Sequence, residues 1–426
     1  MRYFPLDKES RQNMLSSIGV EDISQLYVDL PKDIINNHNF NLPDSKTEFE
    51  VLSYFQDLAN KNIDASKVGF FLGGGCYRHH IPSVVDYIIQ RSEFLTSYTP
   101  YQPEISQGTL QTIFEFQSMI CNLTGMEVAN ASLYDGATSL VEAVLMAKRI
   151  NKNKTNIVVL EHLNPDYSRV LASYIDNDNI CYGKEDDINK NTTCVIIQIP
   201  DFYGMPHDIA EIRKLCDDNN ALLIVVNTEI ISLGIISPPV MADIVVGEAQ
   251  SLGVSMNFGG PHLGYLASKK KYVRQIPGRI CGMTEDSNKK TGFVLTLNAR
   301  EQHIRREKAT SNICSNQGLN VVAFTVHLAL LGSNGLKKLA KLNHFKAKKL
   351  YNLLNANEKI NMISTRFFNE FVYEIAMDAD RFLALMLKEN IMAGIKVSEN
   401  RILTTVTELN SDIDINNFNN ALNKIL

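Results

Sequence analysis

Short apolar runs recur through the middle of the chain, each the length of a strand. They are 128–133 (VANASL), 156–160 (NIVVL), 194–199 (CVIIQI), 221–226 (ALLIVV) and 243–247 (DIVVG). Several are apolar at consecutive positions, so both faces of the strand must be covered. Segments of helical periodicity separate several of them, such as LVEAVLMAKRI from Leu140 and HDIAEIRKLCDD from His207. Strands of this kind alternating with helices predict an α/β domain, a large mostly parallel sheet covered on both sides, over residues 66–325. Within it a helix is expected from Thr109, with Leu110, Ile113, Gln117 and Ile120 on one face and Gly125 ending it.

The flanks read differently. Residues 1–65 predict an N-terminal helical arm. Ser45 and Glu48 have the spacing of a capping box, and Val51, Phe55, Leu58 and Ala59 follow on one face. An arm with one apolar face is expected to wrap over the main domain or a second subunit. Residues 326–426 predict a small C-terminal α+β domain. There a lysine-rich helix (LKKLAKLNHFKAKKLYNLL) precedes a strand, a helix, the strand pair GIKV and RILTTVTEL, and a closing helix.

Composition narrows the classes. The chain has 426 residues, 45% hydrophobic and 21% charged, too many for one compact core. A net charge of −5 gives no whole-chain signal for nucleic acid or an anionic membrane. Seven scattered cysteines suggest no disulfide framework, and the N-terminus has no secretory apolar run, so a cytoplasmic location is expected. The longest apolar runs are strand-sized, too short to span a bilayer.

Candidate chemistry falls in three segments. In 133–143 (LYDGATSLVEA) a strand runs through glycine and small hydroxyl residues into a helix. That pattern suits a phosphate on free N–H groups at 135–139, or an ordinary cap by Asp135. In 96–111 (TSYTPYQPEISQGTLQ), Tyr98, Tyr101 and Glu104 could line a polar pocket that takes substrate, or merely pack. In 293–317, alternating charges from Arg300 through Arg305 and Arg306 to Lys308 precede Ala309, Thr310, Ser311 and Asn312, a short polar turn able to contact phosphate. Cys314 beside it suits a reactive thiol or a small buried side chain. Cys76, His79 and His80 resemble a metal cluster without a further ligand at the required spacing, so no metal is expected. The basic residues from Lys269 to Arg279 could face an acidic partner or solvent.

Several of these stretches are similar to one family. The whole of 71–143 (from FLGGGCYRHH to LYDGATSLVEA) resembles the P-protein of the glycine cleavage system, in particular the α chains, subunit 1, of two-chain glycine decarboxylases. The stretches 243–267 (DIVVGEAQSLGVSMNFGGPHLGYLA), 292–317 (GFVLTLNAREQHIRREKATSNICSNQ) and 2–19 (RYFPLDKESRQNMLSSIG) resemble the same family. The resemblance implies the type I fold of pyridoxal-phosphate (PLP)-dependent transferases. Catalytic relatives of that fold have a Schiff-base lysine after the strand matching DIVVG, and an aspartate after the preceding strand. Here those places read Ala249-Gln250-Ser251-Leu252 and Asn227-Thr228-Glu229.

The resemblance therefore implies that pyridoxal 5′-phosphate is held covalently by a β subunit and not by this chain, in an α2β2 assembly. It implies decarboxylation of glycine, with transfer of the aminomethyl group to the lipoyl arm of H-protein. No catalytic lysine is expected in this chain. Tyr98, Tyr101 and Glu104 are expected to meet substrate, and Thr310, Ser311 and Asn312 the cofactor, across the subunit interface. A non-catalytic scaffold is one alternative. An autonomous PLP enzyme using a lysine such as Lys308 is another.

Overall fold

The structure is a computed structural model that describes residues 7–37, 42–257 and 259–426. Met1–Ile63 forms one compact unit and Asp64–Leu426 another. The first has helices Lys8–Ile18, Lys32–Asn37 and Glu48–Ala59. The capping box of the last lies two residues beyond the expected Ser45–Glu48 pair. Thr47 is the N-cap, its hydroxyl accepts from Glu50 N, and the Glu50 carboxylate accepts from Thr47 N at 2.8 Å. Both spacings are i,i+3, but the helix starts at Glu48, so Thr47, with its extended backbone, is the cap. No residue of this helix is buried. The segments 1–6 and residue 258, parts of two family-like stretches, lie outside the described residues.

The second unit opens with β1 (Gly69–Phe70) and is built on a seven-stranded sheet. Its strands are β2 (Val128–Ala129), β3 (Asn156–Leu160), β4 (Ile180–Gly183), β5 (Thr192–Gln198), β6 (Leu222–Asn227), β7 (Ile244–Glu248) and β8 (Gly264–Ser268). The order is β2-β8-β7-β6-β5-β3-β4, and only β8 runs antiparallel to its neighbours. Alternate side chains feed two separate cores. Leu223, Val225 and Val245 pack on one face with helix Gln107–Thr124. Leu222, Ile224, Val226, Ile244 and Val246 pack on the other with helix Gly136–Ile150. This two-sided burial is what the unbroken apolar runs required.

The expected helix at Thr109 begins at Gln107 and ends at Gly125, whose φ of 70° suits a left-handed cap. FVLTL belongs to β10 (Thr291–Thr296), whose antiparallel partner β9 (Ile280–Glu285) has no apolar run to announce it. β11 (Ile360–Met362), β12 (Glu370–Ile375), β14 (Ile395–Ser398) and β15 (Arg401–Thr405) make a four-stranded antiparallel sheet in the order β11-β12-β15-β14. β13 (Ile391–Met392) pairs parallel with β1.

The lysine-rich helix is longer than its periodicity implied, running Gly318–Asn355 with a break at Gly332 (φ 57°, ψ −178°). Residue 325, the expected domain boundary, lies inside it. This helix is long and apolar enough to cross a membrane by length and composition. Here Phe324 is buried against Phe116, ring centroids 5.2 Å apart at 77°, and Leu336 and Ala340 join the same core.

Phe116 should therefore be a keystone between the two helices. Phe116→Ala is expected to cost about 3–5 kcal/mol, read as a lower urea midpoint with an unchanged slope. A cost below about 1 kcal/mol would show that this contact does not hold the helices together.

Candidate functional site

The carboxyl ends of the parallel strands are where an open α/β sheet takes its ligands. A loop crosses them here, from Phe71 to His80. It lies close because its first glycines allow it: a Cβ on Gly73 would stand 1.8 Å from the Thr405 hydroxyl. Gly74 accepts from Asn164 Nδ2 at 2.7 Å and donates its N–H to Glu370 at 3.0 Å. Tyr77 donates its N–H to Gln250 Oε1 at 3.2 Å and its hydroxyl to Glu370 at 2.7 Å.

Four carboxyl groups converge on this loop and on the ends of β6 and β7. Glu229 and Glu408 take the two ring nitrogens of His79, at 3.0 and 2.8 Å. Glu229 also accepts from Ile231 N and the Ser251 hydroxyl, and Glu408 from His80 N. Burial opposes the His79 charge, but the Glu229 and Glu408 carboxylates outweigh it and push the pKa up to about 10. Glu408 moves down despite its burial, chiefly through its hydrogen bond to His79. Burial lifts Glu370 to about 7 against its three donors, Gly74 N, Tyr77 and Thr405. His79 is a bridge between carboxylates, Cys76 leans on Gln250 at 3.9 Å, and no cluster of metal-ligating residues occurs among the described residues.

The anticipated phosphate loop is a capped helix end. Asp135 caps helix Gly136–Ile150, accepting from Thr138 N at 2.7 Å. The N–H of Gly136, in the same first turn, goes to the fourth carboxyl, Glu248, at 3.0 Å. The other oxygen of Glu248 accepts from Gln250 N at 2.9 Å and Leu263 N at 2.8 Å. Burial raises its pKa, against the pull of His262 and of these N–H donors. The Tyr167 hydroxyl covers Gly136, 2.0 Å from where a Cβ would stand. Sequence reasoning missed Glu248, though one signal was present: IVVGE places a carboxylate at the end of a strand otherwise buried and apolar.

The second candidate segment lies elsewhere on the unit. Tyr98 is exposed and Tyr101 half-exposed, while Glu104 is exposed in a 3-10 turn, Pro103–Ile105. The structure brings this loop against the charged segment. The Tyr101 and His303 rings meet edge-to-face, centroids 5.3 Å apart. A cavity of about 180 Å³ is lined by Ser97, Tyr98, Thr99 and Pro100 on one side and by Ser315, Asn316 and Gly318 on the other. Thr310 N donates to Arg300 O at 2.9 Å, the Ser311 hydroxyl accepts from Ile313 N at 3.0 Å, and Asn312 is exposed. The charge run is a set of single turns and not one helix face, and Lys308 is exposed in the turn Arg306–Lys308. Cys314 is exposed, its N–H on the Tyr134 hydroxyl at 2.9 Å. The basic stretch 269–279 is no continuous free surface. Lys269 pairs with Asp243 at 3.1 Å, Lys271 lies 3.8 Å from it, and Arg279 is buried.

Residues 1–422 match the family model described as Glycine cleavage system P-protein. The chain belongs to that family. It is 44% identical to the probable glycine dehydrogenase (decarboxylating) subunit 1 of Methylocella silvestris and 46% identical to that of Azorhizobium caulinodans, each covering 100% of both chains. It is also similar to the inhibitor-bound crystal structure of glycine decarboxylase (P-protein) of the glycine cleavage system, with a TM-score of 0.93, 38% identity and 100% of both chains covered. A sphingosine-1-phosphate lyase of Burkholderia pseudomallei matches at a TM-score of 0.67 and 13% identity, over 92% of this chain and 94% of that one, and shows the fold alone. That fold is type I of the PLP-dependent enzymes.

This P-protein chain does not fit the cofactor of its fold. At the helix end that would take a phosphate, Asp135 and Glu248 already accept from Thr138 N and Gly136 N, and Tyr167 packs against Gly136. Asn227, at the end of β6, donates to Ile199 O at 2.8 Å and to the Ser232 hydroxyl at 3.0 Å, and gives no acid for a pyridine nitrogen. Gln250 is held by Tyr77 N and Val254 O, and no lysine lies from Ala249 to Leu263.

The His79 bridge sets a pH dependence. Its folded pKa, near 10, exceeds the ordinary 6.5, so its stabilisation is complete below pH 6.5 and is lost as pH rises through 10. His79→Gln should unfold at lower urea than the wild type at pH 6, and the gap should narrow steadily toward pH 10. A gap that stays constant or widens would show that His79 is not held charged.

Proposed function

We propose that this chain is the α subunit of a two-chain glycine decarboxylase of the glycine cleavage system, working in the cytoplasm. A homologous β chain carries the lysine that holds pyridoxal 5′-phosphate, and the two pair as α2β2. The observation that carries this reading is the filled cofactor site. A chain similar to its family over its full length has put Glu248 where the helix end would take a phosphate. Large apolar side chains left exposed on successive short elements favour a partner: Tyr87 (63%), Leu95 (53%), Tyr98 (78%) and Ile105 (81%). The names of the relatives, subunit 1, agree with one.

The reaction releases the carboxylate of glycine as carbon dioxide and passes the aminomethyl group to the lipoyl arm of H-protein. Bound pyridoxal phosphate supplies an electron sink for the pair left by the departing carboxylate. The part of this chain is to complete the site from across the interface. Tyr98 and Tyr101 supply walls and hydroxyl donors, with Glu104 beside them near the substrate. Thr310, Ser311 and Asn312 supply a polar turn for the cofactor. Holding these groups in place before the reaction lowers the barrier by orientation and by keeping water out.

The test is to add pyridoxal phosphate to this chain alone, and to its mixture with a lysine-bearing second subunit, and reduce each with borohydride. Peptide mapping should find the label on the second subunit only, and glycine decarboxylation should appear only in the mixture. A labelled lysine in this chain would make it an autonomous enzyme. In the mixture, Tyr98→Phe or Tyr101→Phe should lower turnover by roughly tenfold or more, as loss of an aimed donor does. Unchanged turnover in both would leave the chain a scaffold.

A further inference from the structure

Arg279 is the last residue before β9, and the backbone leading to it is pinned from several sides. Arg149 Nη2 donates to Gln275 O at 3.0 Å, and Asn130 Nδ2 to Pro277 O at 3.1 Å. Arg300 donates to Gly278 O at 3.1 Å and also to Ile276 O, and Ala131 N donates to Arg279 O at 2.8 Å. Arg149 and Arg300 thus direct their guanidinium groups to carbonyls and lock the segment.

The Arg279 side chain is different. The residue is 7% exposed, yet among the described residues its guanidinium makes one hydrogen bond, Nη2 to the Tyr101 hydroxyl at 2.9 Å. It has no carboxylate partner there, and its Nε, like that of the less buried Arg149, is buried with no acceptor. Tyr101 lies beside it, with the guanidinium carbon 5.3 Å from the ring centroid. A phenol accepts a hydrogen bond but brings no negative charge. A buried cation in that condition is costly, and proteins pair such groups. Its planar fork suits a carboxylate or phosphate gripped by two parallel N–H bonds. Tyr101 is itself 50% exposed, and His303 flanks it.

We infer that Arg279, with Tyr101 as its outer donor, is a receptor for the oxyanion of a small molecule, a carboxylate or a phosphate group that comes from outside this chain. When the anion binds, the Tyr101 hydroxyl turns from accepting the Arg279 hydrogen bond to donating one. The identity of the anion rests on the proposed function, under which the candidates are the carboxylate of glycine and the phosphate of the partner-held cofactor. The receptor itself is a property of this chain.

The test uses the isolated full-length chain, titrated calorimetrically with inorganic phosphate and separately with acetate, against chloride at matched ionic strength. Saturable binding of at least one oxyanion is expected. Arg279→Gln should weaken it by about tenfold or more, and Arg279→Lys, which keeps the charge but loses the fork, by an intermediate factor. Phosphate bound in preference to acetate assigns the receptor to the cofactor phosphate, and the reverse preference assigns it to the carboxylate of glycine. If the glutamine variant does not fold, the lysine variant carries the comparison. No oxyanion binding beyond chloride in the wild type, or binding unchanged in the folded Arg279 variants, would overturn the inference. These results are independent of the borohydride labelling, so the receptor and the two-subunit reading can fail separately.

Discussion

Carboxyl groups gathered around one loop, where the large sheet meets the C-terminal one, are the constraint around which this chain is arranged. Glu229, Glu248, Glu370 and Glu408 all lie near one loop, the first three buried and Glu408 partly so, and water does little to solvate them. Each is answered separately. His79 bridges Glu229 and Glu408, three backbone N–H groups hold Glu248, and Gly74, Tyr77 and Thr405 hold Glu370. The loop from Phe71 to His80 exists in its observed path because it delivers several of these donors. It ties the end of β6 to Glu408, just beyond β15, and so joins the large sheet to the C-terminal one.

The same arrangement explains how a fold associated with a cofactor can stand without one of its own. A helix N-terminus aimed into a buried space favours negative charge. In this chain Asp135 and Glu248 occupy that position and take the N–H groups of Thr138 and Gly136. The sheet order, the helices and the strand ends all persist, and under the proposed function the chemistry falls to the loop at Tyr98 and Tyr101 and the polar turn at Thr310.

Much of the α/β architecture was legible because both-face burial leaves a clear mark: CVIIQI and ALLIVV have little other use. The helix ends at Gly125 and Asp135 were equally readable, since each depends on local backbone chemistry. What escaped was whatever depends on long-range pairing. The strand Ile280–Glu285 has glycine and polar residues and is defined only by its partner. The bridging role of His79 was out of reach because Glu229 and Glu408 are 150 and 329 residues away along the chain. The capping box at Thr47 was misplaced by two residues because Ser45 and Thr47 both have a glutamate three positions on. The family resemblance supplied the cofactor, the partner and the roles of the tyrosines, none of which periodicity carries.

The helix Gly318–Asn355 gives the second unit a property that its sheets alone would not. Its Val321 and Phe324 lie in the core beneath the large sheet, Leu336 and Ala340 extend that core beyond the break at Gly332, and Ala347, Leu350 and Leu354 enter the core of the C-terminal sheet. One rod is thus shared between two cores, with no linker where they could be parted. Melting either core frays the rod on which the other is built. The C-terminal layer therefore cannot act as an independent lid. It has to rise, settle or unravel together with the large sheet, as one cooperative body.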